Sequence, residues 1–305
     1  YPLDLQAMRF RRILRAFASA ARGNSSRDLR QKDRRWLVGA LPFSLGSAGL
    51  LLHSYGDAAM CEKRPKKVAL VTGSSSGIGK AIAERLSSEG YQVVVNSHAS
   101  VQDGKAVAAS LPDGLYIQGD CSTREGCEGL VKEVVERCGQ LDLLICNAGV
   151  GKVIPHDKLE LIDDEYLHKI FALNCFGPLW LSRAAMPFLK KADDGGIIMI
   201  GSAAGGRPMG SSIPYSMTRA AMNHLTKLLA KSQGPVRVNC VAPGLIETRI
   251  THGGDWDGPH AAVKAHAPLK RVGQPVDLTE AVVCCIRSRY MTGQTIYVDG
   301  GASLA

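Results

Sequence analysis

The chain has 305 residues, of which 45% are hydrophobic and 21% are charged, a composition that is typical of a folded globular protein and excludes a low-complexity chain. Its net charge of +9 belongs entirely to residues 1–67, which hold 14 Lys and Arg against 5 Asp and Glu. Residues 68–305 hold 23 of each sign, so this body carries no net charge that would favour a nucleic-acid partner. Nine cysteines without a C-x-x-C pair argue against a disulfide framework and indicate a reducing compartment.

The first 35 residues form a basic leader with ten Arg and Lys against three Asp. Phe10, Ile13, Leu14 and Phe17 recur at helical spacing and predict one apolar helix face. An Arg-rich, acid-poor, amphipathic N-terminus is typical of a mitochondrial targeting peptide, and the alternative is a basic surface helix or arm. The leader therefore predicts a mitochondrial location.

Residues 36–56 are 21 consecutive positions without Asp, Glu, Lys or Arg. This length is enough to cross a bilayer, although one proline and several glycines argue against a regular helix. Two interpretations remain open, a membrane anchor and a segment buried against a partner. We therefore expect residues 1–60 to contact a membrane or a membrane protein, and residues 57–66 to link them to a body at 67–305.

The stretch Val68–Gly79, VALVTGSSSGIG, organises the body. Four apolar residues predict a strand buried on both faces, a glycine-rich turn follows, and helical periodicity starts at Ile78. Such a turn lets the backbone approach a phosphate, and the free N–H groups of the first helical turn point at it. We expect phosphate contacts from Gly73, Ser74, Ser75, Ser76, Gly77, Ile78 and Gly79.

Six further strands alternate with helices along the rest of the body. Apolar runs predict strands at 92–95, 115–118, 141–146, 196–200, 236–241 and 294–298. Helical periodicity predicts helices at 123–138, 165–189 with a break near Gly177-Pro178, 215–231 and 279–286. Short apolar strands in alternation with helices predict an α/β fold, in which one parallel sheet is covered on both faces.

Polar and small residues follow several of these strands: Asp120, Asn147 to Gly149, Ser202, and Pro243 to Thr248. Ligands of open α/β sheets bind outside the carboxyl ends of the strands. Four separate loops should therefore converge on the edge that carries the glycine turn.

With these motifs the chain resembles the short-chain dehydrogenase/reductase family, in its Gly-rich, single-domain branch. Thr72-Gly73-x3-Gly77-Ile78-Gly79 is similar to the family's cofactor motif, and Cys146-Asn147-Ala148-Gly149 is similar to its N-N-A-G motif with Cys in the first place. Thr292-Gly293-Gln294 and Val298-Asp299-Gly300-Gly301 resemble its C-terminal motifs. The resemblance covers about Lys66–Gly301.

The resemblance implies a Rossmann-type, doubly wound sheet of seven strands in the order 3-2-1-4-5-6-7, a bound NAD(P), a carbonyl or alcohol substrate, and in many members a homo-oligomer. Besides the glycine turn, it implies dinucleotide contacts from Ser97, His98, Asp120, Cys121, Asn147, Ala148, Gly149, Tyr215, Arg219, Pro243, Gly244, Ile246 and Thr248. Asn174, Ser202, Tyr215 and Arg219 occupy its catalytic positions. The histidines show no metal-ligand spacing, and we expect no metal.

In this comparison Tyr215 is the proton donor, Ser202 bonds the substrate oxygen, and Asn174 holds a water. The family's Lys, four residues after the Tyr, is here Arg219. Arg keeps the positive charge that favours a phenolate, but it practically never deprotonates and cannot relay a proton. Two interpretations follow: a working oxidoreductase with an altered relay, which we favour, or a weak or inactive dinucleotide-binding subunit of a mitochondrial membrane assembly.

The end of the second strand reads Asn96-Ser97-His98 and lacks the acid that an NAD site places near the ribose 2′-hydroxyl. We therefore expect NADP(H) to be preferred and NAD(H) to be accepted. The sequence does not identify the substrate. Candidates for lining its pocket are Met209 and Ile213, which flank the catalytic segment, and Trp256, for which simple loop packing is the alternative.

Overall fold

The computed structural model describes residues 66–304, so the leader, the apolar segment and all but the last residue of the linker lie outside the described residues. Seven strands form one sheet, all paired in parallel, in the order β3-β2-β1-β4-β5-β6-β7. They are β1 (Val68–Val71), β2 (Gln92–Ser97), β3 (Leu115–Gln118), β4 (Leu143–Cys146), β5 (Gly196–Ile200), β6 (Arg237–Pro243) and β7 (Thr295–Val298). The predicted doubly wound, seven-stranded sheet is confirmed.

Apolar residues on both faces explain why β1 reads as a continuous hydrophobic run. Val68 and Leu70 belong to one buried cluster, whereas Ala69 and Val71 belong to another. Successive side chains of a strand point to opposite faces, so the two clusters are the two cores on either side of the sheet. Burial on both faces is the condition that makes a parallel sheet stable.

Helices cover both faces. They are α1 (Gly77–Ser88), α2 (Val101–Ser110), α3 (Arg124–Cys138), α4 (Asp164–Phe171), α5 (Gly177–Leu189), α6 (Ile213–Ser232), α7 (Asp257–His266) and α8 (Thr279–Arg287). Leu130 of α3, Leu181 of α5 and Met222 of α6 pack in the first cluster. Helices α1, α2 and α8 contribute to the second. Across residues 66–304, no helix combines the length and apolarity that a bilayer span needs.

The structure departs from the predicted elements in two ways. Helices α2 and α7 were not predicted, because α2 contains a glycine and buries few side chains and α7 buries none. The break predicted near Gly177-Pro178 lies one turn earlier, in a π-helical turn over Ala172–Phe176 that joins α4 to α5. Pro178 fits the first turn of α5, where the missing N–H costs no hydrogen bond.

Candidate functional site

A cavity of about 940 Å³ opens at the carboxyl edge of the sheet, where the four loops converge as predicted. Of the predicted dinucleotide residues, all but Ser74 line it: Gly73, Ser75, Ser76, Gly77, Ile78, Gly79, Ser97, His98, Asp120, Cys121, Asn147, Ala148, Gly149, Tyr215, Arg219, Pro243, Gly244, Ile246 and Thr248. Ser202 also lines it, whereas Asn174 does not. One cavity thus holds the glycine turn and three of the four predicted catalytic positions.

The glycine turn presents an uncapped helix terminus to this cavity. Ser76 is the N-cap of α1 but makes no side-chain cap, and the first turn of α1 contains no acid. The first N–H groups of a helix have no partner within the helix, and the helix dipole favours an anion there. The turn is therefore free to bind a phosphate.

Thr72 and Asn147 hold the glycine turn against the loop after β4. The Thr72 hydroxyl donates to the Ile145 carbonyl at 3.2 Å and accepts from the backbone N–H groups of Asn147 and Ala148 at 3.0 and 3.1 Å. The Asn147 amide donates to the carbonyls of Thr72 and Gly73 at 2.9 and 3.0 Å. The shape of the phosphate turn thus depends on the next strand of the sheet.

Ser74 lies behind the turn and is the one predicted dinucleotide residue that does not line the cavity. Its hydroxyl donates to the Val71 carbonyl at 2.6 Å and accepts from the Asn96 N–H at 3.1 Å, while its own N–H donates to the Asn96 carbonyl at 2.9 Å. Asn96, which sequence reasoning did not assign to the site, also spans to β3 because its amide donates to the Ile117 carbonyl. A lone Asn within an apolar strand is the signal that could have found it.

The ends of β2 and β3 form one corner of the cavity. Burial alone would raise the pKa of Asp120, but hydrogen bonds from the Ser122 hydroxyl and N–H, at 2.7 and 2.8 Å, outweigh it, and nearby His98 adds to a net lowering. The His98 Nδ1 lies 3.9 Å from the Asp120 carboxylate. Hydrogen bonding to Cys127 and burial raise the pKa of the Cys121 thiol. The Cys121 side chain is therefore neutral and lies near the charged carboxylate of Asp120.

Helix α6 positions Tyr215 in the wall of the cavity. Ser212 caps the helix by accepting from the Tyr215 N–H at 3.3 Å, and its hydroxyl lies 3.1 Å from that of Tyr166. Ser202 follows β5, and its Oγ accepts from the Ala204 N–H at 3.2 Å. This leaves the Ser202 hydroxyl proton available to a ligand in the cavity.

Arg219 lies one turn after Tyr215 and is only 6% exposed. Its Nη1 donates to the Ile200 carbonyl at 3.2 Å, and its guanidinium carbon lies 5.0 Å from the Tyr215 ring centre, a cation–π contact. Its Nε is buried without a partner, and no carboxylate among residues 66–304 lies within 4 Å of the guanidinium. Arg219 therefore brings an uncompensated positive charge to Tyr215.

Asn174 lies in the π-helical turn and is fully buried. Its Oδ1 accepts from the Val150 N–H at 2.9 Å, and its Nδ2 donates to the Val150 carbonyl at 2.8 Å. Because both ends of the amide bond protein groups, the side chain ties the loop after β4 to the π-helical turn rather than facing the cavity. The role that the resemblance implies for Asn174, holding a water, stays a prediction.

The remaining wall of the cavity is mostly apolar. Of the three candidates, Met209 and Trp256 line it, whereas Ile213 does not. Sequence reasoning missed further lining residues, among them Leu245, Ile250 and Val263. Trp256 and Val263 come from the short turns and helix α7 after β6, whose exposed positions gave no periodic signal. An apolar wall next to the polar groups of Tyr215 and Ser202 suits a carbon chain or ring that carries a carbonyl.

The charges of the cavity wall favour an anionic ligand. Within the described part of the chain, Lys169, Arg219 and Arg249 line it as cations, and Asp120 lines it as the one carboxylate. Together with the uncapped terminus of α1, this excess of positive charge fits a dinucleotide with its phosphates. The volume is also sufficient for an extended ligand.

Comparison with known proteins finds relatives that span most of this chain. A family profile described as enoyl-(acyl carrier protein) reductase matches residues 73–303. Ketoacyl reductase 2 of the granaticin polyketide synthase from Streptomyces violaceoruber is 48% identical over 239 residues, 78% of this chain and 96% of that protein. Dehydrogenase/reductase SDR family member 4 from Bos taurus is 36% identical over 257 residues, 81% of this chain and 91% of that protein.

Solved structures agree with these sequence relatives. The crystal structure of 3-ketoacyl-(acyl-carrier-protein) reductase from Brucella melitensis, complexed with NADH, superposes with a TM-score of 0.72 at 28% identity. The match covers 78% of this chain and 98% of that one. The fold of this chain therefore matches that of a solved reductase over most of both chains.

Gly79→Ala tests the packing of the glycine turn. A methyl group at Gly79 would collide with the Gly73 carbonyl and lie 2.5 Å from the Asn147 amide nitrogen. We expect a loss of roughly 1–3 kcal/mol in the free energy of unfolding, measured by urea titration, and loss of dinucleotide binding.

Gly129→Ala is the matched control, because Gly129 lies in α3 and a methyl group there meets no atom within 4 Å. We expect this change to stabilise the protein by about 0.4–1 kcal/mol. Equal effects of the two substitutions would show that the turn is not tightly packed.

Proposed function

This chain belongs to the short-chain dehydrogenase/reductase family, and we propose that it is an oxidoreductase that interconverts a carbonyl and an alcohol by hydride transfer with NADP(H). The observation that carries the proposal is the convergence of Ser202 and Tyr215 on the cavity that also contains the glycine turn. Structural chains that only bind a nucleotide have no need of a phenol and a hydroxyl at that place.

The reaction needs a hydride, a proton and a group that polarises the oxygen. A bound dinucleotide supplies the hydride to the carbonyl carbon. Ser202 donates a hydrogen bond to the carbonyl oxygen, since its Oγ already accepts from the Ala204 N–H and its proton is free. Tyr215 donates its phenolic proton to the same oxygen, and the product is the alcohol.

Arg219 sets how well Tyr215 performs this step. Its charge, 5.0 Å from the Tyr215 ring, stabilises the phenolate that remains after proton donation. The guanidinium is anchored on the Ile200 carbonyl and does not deprotonate, so it cannot return a proton to Tyr215. We infer that re-protonation draws on solvent in the cavity and that turnover is slow.

The environment of Arg219 favours a second candidate function. A fixed, buried cation without a counter-ion near Tyr215 also suits a subunit that holds a dinucleotide as a structural ligand. In that case the dinucleotide stabilises the folded body by mass action and no substrate is turned over. Both candidates require the dinucleotide, and only the first requires Tyr215.

The substrate we propose is an apolar carbonyl compound, with a 3-ketoacyl chain as the first candidate. Met209, Ile250 and Trp256 supply an apolar wall, and two similar proteins are named as ketoacyl reductases. The cation excess of the cavity is compatible with an acyl chain delivered on a phosphate-bearing carrier.

Tyr215 and Arg219 decide between the two candidates. We expect steady-state oxidation of NADPH, followed by absorbance at saturating substrate, to be slow in the wild type, because re-protonation of Tyr215 limits each turnover. Tyr215→Phe should abolish it, because the proton donor is removed, typically a loss of about 10²–10⁴-fold for such a group. Arg219→Lys should raise it, because an ammonium can relay a proton.

The substrate panel for this experiment contains 3-ketoacyl thioesters, plain ketones and quinones. NADPH binding is measured in parallel by fluorescence, so that a folded and loaded protein is assured. If the wild type and both variants bind NADPH and all are equally inactive on every substrate, the subunit interpretation replaces the enzyme.

Cofactor preference is a separate prediction. No acid follows β2 at the position that would bind the ribose 2′-hydroxyl and repel a 2′-phosphate, since this place is occupied by Ser97 and His98. The Ser97 hydroxyl is engaged by Tyr116 and Ser100, so it does not add to either affinity. We expect the dissociation constant of NADPH to be lower than that of NADH, and tighter binding of NADH would contradict the proposal.

We also propose that residues 1–35 direct the protein to mitochondria and that residues 36–56 hold it on a membrane or a membrane protein. A fluorescent protein fused behind residues 1–60 should co-purify with mitochondria and resist extraction in alkaline carbonate. Replacing Arg11, Arg12 and Arg15 by Gln should abolish the import. A diffuse fusion protein would contradict this role of the leader.

A further inference from the structure

One ion pair joins the cavity wall to a helix that is far away in the chain. Arg249 opens the short turn after β6 and lines the cavity. Its Nη1 lies 2.7 Å from the carboxylate of Asp103, which stands in the first turn of α2. The guanidinium therefore reaches from the loop after β6 to the segment that follows β2.

The corner that Arg249 reaches is the one that distinguishes dinucleotides. His98, Ala99 and Ser100 lead from β2 into α2 and line the same cavity. In this kind of fold the end of the second strand lies beside the adenosine ribose, and an arginine nearby accommodates a 2′-phosphate. The sequence shows no arginine after β2, but the structure brings one from a position 146 residues away.

The Arg249–Asp103 pair is easily exchanged. The two side chains are 66% and 44% exposed, and exposed pairs of this kind contribute little to stability. Asp103 can return to water at little cost when it loses its partner. A phosphate offers a second negative charge and two oxygens that match the fork of a guanidinium.

We propose that Arg249 binds the ribose 2′-phosphate of NADP(H), for which the Asp103 carboxylate is the stand-in when no dinucleotide is bound. The inference rests on the proposed function. It assigns the selectivity for NADP(H) over NAD(H) to a residue of the loop after β6 rather than to one at the end of β2. Asp103 then opposes binding, because its carboxylate competes for the guanidinium. Arg249 acts on binding and takes no part in proton or hydride transfer.

The test compares the dissociation constants of NADPH and NADH, by fluorescence titration of the full-length protein at low salt, in the wild type and its variants. Arg249→Gln should weaken NADPH binding about tenfold, the worth of one hydrogen bond to a charged group. NADH binding should change less than twofold. Asp103→Asn should tighten NADPH binding, because the guanidinium loses its competing partner.

Arg124→Gln is the matched control, because Arg124 also forms an exposed pair, with Glu128 at 3.0 Å, but does not line the cavity. It should leave both constants unchanged. Added salt should reduce the preference of the wild type for NADPH and leave Arg249→Gln unaffected, since the contact is exposed and screened. Thermal unfolding midpoints equal to that of the wild type establish that the variants are folded.

Three results would overturn the proposal. Equal weakening of NADPH and NADH by Arg249→Gln places Arg249 on the pyrophosphate that both dinucleotides share. Unchanged NADPH binding shows that Arg249 makes no phosphate contact. If the wild type binds neither dinucleotide, the proposed function itself fails. If the wild type binds both and Arg249→Gln leaves both dissociation constants unchanged, the proposed function stands and only the role of Arg249 is lost.

Discussion

The hydrogen bonds of Thr72 and Asn147 are the constraint on which the site depends. They fix the glycine turn after β1 to the loop after β4, and the turn in turn sets where the terminus of α1 points. Asn96 secures the same turn from the other side, through Ser74. Residues of three neighbouring strands and their loops thus hold the glycine turn in place.

Electrostatics divides the cavity into two regions. Near β2 and β3 the charged groups are exposed or bonded to a near neighbour, as Asp120 is to Ser122. The paired and unpaired states of such exposed groups differ little in free energy. Near α6 Arg219 is buried with carbonyl, thioether and aromatic contacts, where an unpaired charge is costly. In the proposed reaction, negative charge that develops on Tyr215 offsets part of this cost.

Sequence reasoning predicted the sheet, because buried parallel strands leave a clear apolar pattern and place their loops on one edge. The resemblance to a known family supplied most of the residues predicted for the cavity wall. Neither predicted features that depend on tertiary contacts, such as the hydrogen bonds that Ser74 and Asn174 make to the protein. Arg249 belongs to the β2 corner through a contact 146 residues away, and no local pattern encodes such a contact.

The guanidinium of Arg219 occupies space that Gly149 leaves open. A methyl group at Gly149 would lie 2.5 Å from Nη2, the far end of the Arg219 side chain, and 3.2 Å from Oδ1 of Asn174. A larger residue at 149 would therefore push the guanidinium away from its place beside Tyr215. The glycine in the loop after β4 thus helps to set where the charge of Arg219 lies.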